Sequence, residues 1–350
     1  MKTIPSLDGI RALSVLIVFV SHAGLGKVVP GGLGVTIFFF LSGFLITSLL
    51  RLEYARTSDV NVKAFYIRRF LRLGPPLILT LLIAYGLVIA GVHPGGATAS
   101  GFLAQLFYFA NYFALFFDPT HMKVPYGTGV LWSLSVEEHF YLLFPIVFLL
   151  LARRVSARVM MHVFIVTCGV VLAWRLYLAA QPGIGADRIF FATDTRLDSI
   201  LFGAIFALGF DVARMQAPAR SMSARDTAWL VCAGLTLVAT LVIRNAYFRD
   251  TLRYTLQGVA LMPIFYCAIV YADSPIFRPL NWAWLRRIGV YSYSIYLIHY
   301  VVVTSVQRNG PFGGNRLLIF LASLGISLLF AAAVERYLES RLRVMRRRFH

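Results

Sequence analysis

Three ionisable side chains lie within one strongly apolar stretch near the amino terminus, Leu7–His22, which reads LDGIRALSVLIVFVSH. At about 100° per residue in a helix, Arg11 and His22 fall in one stripe, and Asp8 lies at its edge. Ionisable groups inside a membrane-spanning helix are costly and usually face a protein interior or a wet cavity. The stripe is therefore a candidate wall of a polar channel. The alternative is an interfacial Asp8–Arg11 pair, with His22 at the end of the helix.

Two further arginines share one helical face in the segment Phe65–Pro76, FYIRRFLRLGPP. Arg69 and Arg72 are spaced i, i+3, and Arg68 lies beside them. Planar guanidinium groups bind oxyanions with two parallel hydrogen bonds, so this pair suits a phosphate. The alternative is that all three only mark the cytoplasmic side of the membrane, where lysine and arginine accumulate.

Carboxylates and a second histidine follow in later apolar segments. Glu137 and Glu138, in LWSLSVEEHFYLLFP, point about 100° apart, so at most one of them faces the stripe. A carboxylate near His22 could fix its tautomer and raise its basicity; an outer-loop salt bridge is the alternative. In TDTRLDSILFG, Asp194 and Asp198 share a face and Arg196 points elsewhere. These three could bind hydroxyl groups of a polar acceptor, or pair with one another to permit burial. In the ninth apolar segment, His299 is the last residue of the block GVYSYSIYLIH. This histidine is either functional or a hydrogen-bonded contact between helices.

Composition excludes a soluble protein. Of 350 residues, 59% are hydrophobic and only 14% are charged, and the mean hydropathy is +0.75. The net charge of +18 does not indicate nucleic-acid binding, because the basic residues cluster between apolar runs and set orientation there. Three cysteines in apolar runs give neither a disulfide framework nor a metal-binding spacing, and no metal is expected.

Ten apolar segments are each about long enough to cross a hydrocarbon core of about 30 Å. The sequence thus predicts an all-α, polytopic membrane helical bundle with both termini in the cytoplasm. This topology places 22 of the 33 lysines and arginines inside and 8 outside. The predicted spans are 7–25, 33–50, 75–91, 131–151, 160–180, 195–213, 227–243, 254–272, 289–306 and 317–335.

The segment 102–118, FLAQLFYFANYFALFFD, is of borderline length for a span. If it crossed, the basic loop at 153–158 would face outward and the charge bias would reverse partway along the chain. We therefore predict an extracytoplasmic or re-entrant segment. The chain is expected to be a single membrane domain over residues 1–350 with no appended soluble domain.

Together these blocks carry a family resemblance. In order and spacing, LDGIRALSVLIVFVSH, FFFLSGFLIT with FYIRRFLRLGPP, LWSLSVEEHFY, TRLDSILFG and SYSIYLIH resemble the acyltransferase 3 family of integral-membrane O-acyltransferases. The resemblance implies an enzyme of the bacterial inner membrane. It would move an acyl group, usually acetyl, from cytoplasmic acetyl-CoA to a hydroxyl of a polysaccharide or lipid-linked glycan outside.

The resemblance also implies roles for individual residues. His22 resembles the catalytic histidine, Arg11 the first-span arginine, and Glu137 the first glutamate of its block. Arg69 and Arg72, with Arg68 beside them, are similar to the arginine motif that would dock CoA. The partners implied are acyl-CoA, the glycan acceptor and membrane lipid, with either this chain or a separate extracytoplasmic protein completing the transfer. The residues leave open direct attack or an acyl-histidine intermediate, and also a different class of function, a proton-coupled transporter of an anionic solute.

Overall fold

The computed structural model describes residues 4–210, 221–346 and 349, and its regular elements there are helices. Nine helices in this part of the chain are long and apolar enough to span a membrane, which confirms the all-α, polytopic prediction. They match nine of the ten predicted spans. The tenth, 195–213, corresponds to the 17-residue helix Thr193–Gly209. Some basic residues that we assigned to the cytoplasm lie outside the described residues: Lys2, Arg214, Arg220, Arg347 and Arg348.

The helices are numbered here in chain order. The first eight are α1 Pro5–Val20, α2 Gly31–Thr57, α3 Val62–Ile89, α4 Ala99–Leu106, α5 Ala110–Phe116, α6 Trp132–Ala152, α7 Ala157–Ala180 and α8 Ala186–Phe191. The others are α9 Thr193–Gly209, α10 Ala224–Val242, α11 Ala246–Asp250, α12 Leu252–Val270, α13 Ala283–Asn309, α14 Arg316–Val334 and α15 Ser340–Arg346.

The chain divides into two compact units. The first contains residues up to Ser14, Gly32–Val60 and Phe140–Gly289. In it α7 packs on α9, and α12 packs on both α9 and α10. Glycine permits the close approach of α2 and α9, because a Cβ at Gly203 would lie 1.9 Å from the Phe40 carbonyl oxygen.

The second unit contains Val15–Gly31, Asn61–His139 and Val290–His350. The end of α1 opens there into a wider π-type turn, Ser21–Leu25, in which Gly24 takes a left-handed φ of +105°. Such turns arise where one extra residue is accommodated, and they are frequent at functional sites. His22 therefore lies in a widened turn rather than in a regular α-helix.

The doubtful segment 102–118 breaks into α4 and α5, of eight and seven residues. Neither is long enough to cross about 30 Å of hydrocarbon. Asp118 ends the segment and accepts hydrogen bonds from the amides of Met122 and Lys123, both at 2.9 Å. His93 holds the neighbouring loop by donating to the Tyr126 carbonyl at 2.6 Å and accepting from Ser305 at 2.8 Å. The segment is thus a folded, non-spanning cap of the second unit.

Candidate active site

Two histidines meet in the second unit. The π-type turn after α1 presents His22, and α13 presents His299, with 2.9 Å between His22 Nδ1 and His299 Nε2. His299 is fully buried and His22 is half-buried. His22 thus hydrogen-bonds to a second histidine, where the sequence suggested a carboxylate.

The hydrogen bonds of His299 fix the tautomers of both rings. His299 Nδ1 lies 2.7 Å from the carbonyl oxygen of Tyr296, which can only accept, so this nitrogen carries the proton. In a neutral ring His299 Nε2 is then the acceptor, and His22 Nδ1 must donate to it. His22 Nε2 is left unprotonated with its lone pair available, which is the state that a general base or nucleophile requires.

Aromatic groups enclose this histidine pair. The Tyr300 ring stacks on His22 with 4.4 Å between centroids, and Phe19 lies 5.8 Å from His299. Phe19 also packs edge-on against Phe320 of α14 at 5.7 Å. One turn back along α13, the Tyr296 hydroxyl lies 2.7 Å from the Ser133 hydroxyl. These aromatic contacts therefore restrict the orientations of the His22 and His299 imidazole rings.

A second polar layer lies further along the same unit. Glu138 of α6 pairs with Arg69 of α3, with 3.7 Å between Glu138 Oε1 and Arg69 Nε. The Tyr293 hydroxyl donates to the Leu73 carbonyl at 2.8 Å, and the Tyr108 hydroxyl bonds to Tyr293. An arginine, a carboxylate and two phenols thus meet at one level.

The spacing of the two layers follows from α13, which contributes to both. Tyr293 and His299 are six residues apart, so the arginine–carboxylate layer lies about 9 Å along the helix axis from the histidine pair. A ligand whose anionic group binds at Arg69 would need an arm of at least this length to reach His22. Acyl thioesters of CoA have such an arm in pantetheine.

Tyr108 reaches this layer from the break between α4 and α5. Its backbone is left-handed, with φ of +57°, a conformation that is costly for a tyrosine and clusters at functional sites. His139 holds the strained residue by donating to its carbonyl. Burial, and secondarily the nearby Glu138 charge, raise the pKa of the Tyr108 hydroxyl above its ordinary range, so it stays a hydrogen-bond donor.

Glu137, the neighbour of Glu138 on α6, is half-buried. Its carboxylate acts electrostatically on the hydroxyls of Tyr293 in one layer and Tyr296 in the other. Of the two adjacent glutamates, Glu138 and not Glu137 forms the ion pair with Arg69.

The arginines of α3 also separate. Arg72 is exposed and lies within electrostatic range of Glu339 in the turn before α15. Arg68 donates a 2.5 Å hydrogen bond to the Phe349 carbonyl. Arg69 therefore faces α6, whereas Arg68 and Arg72 face the end of the chain.

The remaining predicted residues lie in the first unit. Arg11 pairs with Asp8 at 3.2 Å, as the interfacial alternative expected. Asp198 is fully buried, and both of its oxygens accept from Arg175, at 2.8 and 2.7 Å. The structure thus gives Asp198 a pairing function, with Arg175 rather than with its neighbours on α9.

Asp194 and Arg196 have different surroundings from Asp198. Asp194 accepts from Arg188 at 3.1 and 2.6 Å and from the Trp174 indole at 2.6 Å, yet its side chain is 36% exposed. Arg196 is fully buried, with its guanidinium 3.9 Å from the Tyr254 ring centroid. Of the predicted acceptor trio, Asp194 is the residue that solvent reaches.

Sequence reasoning did not select His299, Glu138 and Tyr108 for the site. His299 was visible as a histidine in an apolar span, but its partner is 277 positions away. Glu138 could be recognised only as one of two adjacent carboxylates. Tyr108 gave no signal among the aromatic residues of its segment. Among the residues that the structure describes, no three His, Cys, Asp or Glu side chains group so as to hold a metal ion.

The sequence is similar to those of known acyltransferases. An acyltransferase domain matches residues 4–336. The chain is 30% identical over 322 residues to the peptidoglycan O-acetyltransferase OatA of Listeria monocytogenes, an alignment that covers 87% of this chain and 50% of that protein. It is 28% identical over 357 residues to the O-acetyltransferase OatA of Staphylococcus aureus, covering 98% and 57%. A putative O-acetyltransferase of Staphylococcus aureus strain COL is also 28% identical, over 362 residues.

The chain spans between half and three fifths of the length of these curated relatives. No solved structure matches it. The apolar helices and the family together make it an integral membrane protein. Because the acyltransferase domain covers nearly all of the sequence and includes every block quoted above, the chain belongs to the acyltransferase 3 family.

Proposed function

We propose that this protein is a membrane O-acetyltransferase that uses cytoplasmic acetyl-CoA to acetylate a hydroxyl of a glycan outside the bacterial inner membrane. The observation that carries the proposal is the His22–His299 hydrogen bond, because its direction leaves a lone pair on His22 Nε2. The names of the relatives support the acetyl group and a glycan such as peptidoglycan as the acceptor.

In the proposed reaction His22 Nε2 takes the proton of the acceptor hydroxyl while the oxygen attacks the thioester carbonyl. The tetrahedral intermediate then collapses, the C–S bond breaks, and the leaving thiolate takes the proton from the His22 imidazolium. An acyl-histidine route requires the same lone pair, so the geometry supports both. His299 is a positioning residue in either case, and Glu137 acts electrostatically on the hydroxyl of Tyr296, whose carbonyl accepts from His299.

The other predicted residues have roles that follow from their surroundings. Arg69 binds the donor, and its pairing with Glu138 orients it. Within the first unit, Asp194 is the solvent-reached member of the predicted acceptor-binding trio, and Arg196 and the Arg175–Asp198 pair stabilise the helix that carries it. Arg11, which pairs with Asp8 in the first unit, keeps its predicted catalytic role as part of this proposal. A separate extracytoplasmic protein is a further proposed partner.

His22→Ala tests the proposal directly. A general base contributes roughly 10²–10⁴-fold, so we expect release of CoA from acetyl-CoA by the purified protein, with a soluble glycan acceptor, to fall by that factor. CoA binding, measured by thermal shift, should persist. The matched control is His162→Ala, since His162 is an exposed histidine on α7.

His299→Ala separates the base from its support. Without His299 the His22 ring loses the hydrogen bond that fixes its tautomer, so we expect a smaller fall in rate together with a shifted pH–rate profile. Full activity of His22→Ala would overturn the assignment of the base. An unchanged pH profile in His299→Ala would overturn the proposed function of the histidine pair.

A further inference from the structure

A cluster of charged side chains lies where the last helix packs on α3. The turn Glu335–Glu339 and the helix α15 both contact α3. Arg343 forms an ion pair with Glu335. Glu339 lies within electrostatic range of both Arg72 and Arg346, and its Oε1 is 3.4 Å from the Ser294 hydroxyl. The cluster is only partly inside the acyltransferase domain, which matches no further than residue 336.

The charges of this cluster favour binding of an additional anion. Three guanidiniums, of Arg72, Arg343 and Arg346, face two carboxylates, so positive charge is in excess. The Arg346 Nε is buried without a hydrogen-bond partner in the described structure. Arg72 is exposed and the Arg343 side chain is 50% exposed. Because exposed ion pairs contribute little, a phosphate can replace a carboxylate on these guanidiniums at little cost.

The direction of the last helix places this cluster beyond the arginine–carboxylate layer. Phe320 packs on Phe19 beside the histidine pair, whereas Glu339 contacts Ser294 at the level of Tyr293. The helix therefore runs from the histidine layer to the arginine layer. Arg343 and Arg346 follow Glu339 by four and seven residues, which is about 6 and 10 Å further from His22 along the helix.

An acyl-CoA extended from His22 would present its groups in a fixed order. The thioester comes first, then pantetheine, then the pyrophosphate, and the ribose 3′-phosphate lies at the far end. We propose that Arg72, Arg343 and Arg346 bind this 3′-phosphate, a dianion, and that Glu335 and Glu339 order the three guanidiniums. The inference rests on the proposed function, because it assumes that CoA carries the acyl group.

The experiment compares CoA with 3′-dephospho-CoA, which lacks only the phosphate in question. Isothermal titration is carried out on the full chain in neutral phosphatidylcholine nanodiscs for wild type, Arg343→Gln and Arg346→Gln. We expect wild type to prefer CoA, and each variant to lose about tenfold to a hundredfold in CoA affinity. Affinity for 3′-dephospho-CoA should not change. Arg341→Gln, on the same helix, is the matched control and should bind like wild type.

The outcomes separate this inference from the proposed function. If both variants weaken both ligands equally, or weaken neither, the 3′-phosphate assignment is overturned. If CoA affinity is unchanged but binding of added phosphatidylglycerol falls, the arginines hold lipid phosphate and the assignment is also overturned. If wild type binds neither CoA nor 3′-dephospho-CoA, the proposed donor itself fails. Should a glutamine variant not fold, the corresponding lysine variant keeps the charge but loses the fork, and should show a smaller loss for CoA alone.

Discussion

Each unit of this protein contains an arginine–carboxylate pair between helices, and the two pairs are built differently. In the first unit Arg175 and Asp198 are completely buried and joined by two parallel hydrogen bonds of 2.8 and 2.7 Å. In the second unit Arg69 and Glu138 are 16% and 19% exposed, and their closest atoms are 3.7 Å apart. The first pair is tight and closed, and the second is loose and partly open.

The two pairs also differ in the polar groups that surround them. Arg175 also donates to the Thr195 carbonyl at 2.8 Å and to the Thr255 hydroxyl at 2.5 Å, so both of its terminal nitrogens have partners besides Asp198. Arg69 and Glu138 are instead accompanied by the hydroxyls of Tyr108 and Tyr293. A buried charge needs a close counter-charge and additional hydrogen bonds to be tolerated. A site that must accept an anionic substrate needs an arginine that can exchange partners.

Replacement of Asp198 by alanine is expected to have the largest effect on stability. Removal of one partner from a buried pair leaves the other charge uncompensated and costs roughly 3–5 kcal/mol. We expect Asp198→Ala to unfold at a much lower temperature in detergent and to give little folded protein. Thermal unfolding of the purified protein, followed by intrinsic fluorescence, measures this.

The double variant Arg175→Met/Asp198→Leu is the control for charge rather than volume. Since an apolar pair of similar size can replace a buried ion pair, the double variant should recover much of the lost stability. Equal instability of the single and double variants would show that packing, and not the unpaired arginine, determines the cost.

In contrast to Asp198→Ala, Glu138→Gln is expected to have a large effect on the KM for the acyl donor and a small effect on the stability of the fold. Glutamine keeps the shape of the side chain and removes the charge that orients Arg69. We expect the KM for acetyl-CoA to rise about tenfold, while the unfolding temperature stays near that of wild type. Steady-state kinetics and thermal unfolding on the same preparation provide both numbers.

Glu138→Asp keeps the charge and should restore part of the donor affinity. A Glu138→Gln protein that binds CoA more tightly than wild type would contradict the orienting function, because it would mean that the carboxylate competes with the phosphate. A fall in stability as large as that of Asp198→Ala would remove the distinction between the two pairs.

The contrast between the pairs shows what the sequence could and could not predict. The Asp8–Arg11 and Arg69–Arg72 spacings depend only on helical periodicity, and apolar length alone predicted the membrane helices. The stripe that joined Arg11 to His22 assumed a regular helix, whereas α1 ends at Val20 and His22 lies in the π-type turn. The partners of these residues depend on tertiary packing. Arg175 and Asp198 are 23 positions apart on two helices, and Arg69 and Glu138 are 69 apart. Local pattern contains no information on such pairs.

The choice between adjacent residues was equally beyond the sequence. Two successive glutamates on a helix point about 100° apart, and only the packing of α3 against α6 shows that Glu138 meets Arg69. The break at Tyr108 was similarly invisible, because a left-handed tyrosine is held by tertiary contacts with His139 and Tyr293 rather than by local propensity.

A third pair, Asp59 with Arg153, supplies the smallest expected effect and the baseline for the other two. Its atoms are as close as those of the buried pair, at 2.7 Å, but the side chains are 58% and 52% exposed. Exposed pairs are screened by water and salt, so we expect Asp59→Asn to leave both the unfolding temperature and acyl transfer at neutral pH within experimental scatter. The amide of Val60, and to a lesser extent Arg153, hold the pKa of the Asp59 carboxyl below its ordinary value. A carboxyl whose folded-state pKa is lowered contributes stability above its unfolded pKa and loses that contribution as the pH falls through the folded value. Any difference between wild type and Asp59→Asn should therefore be present at neutral pH and disappear on the acid side.

Thermal unfolding between pH 3 and 7, at low and high salt, measures this difference in stability. A loss comparable to that of Asp198→Ala would show that short distance, and not burial, makes these pairs matter.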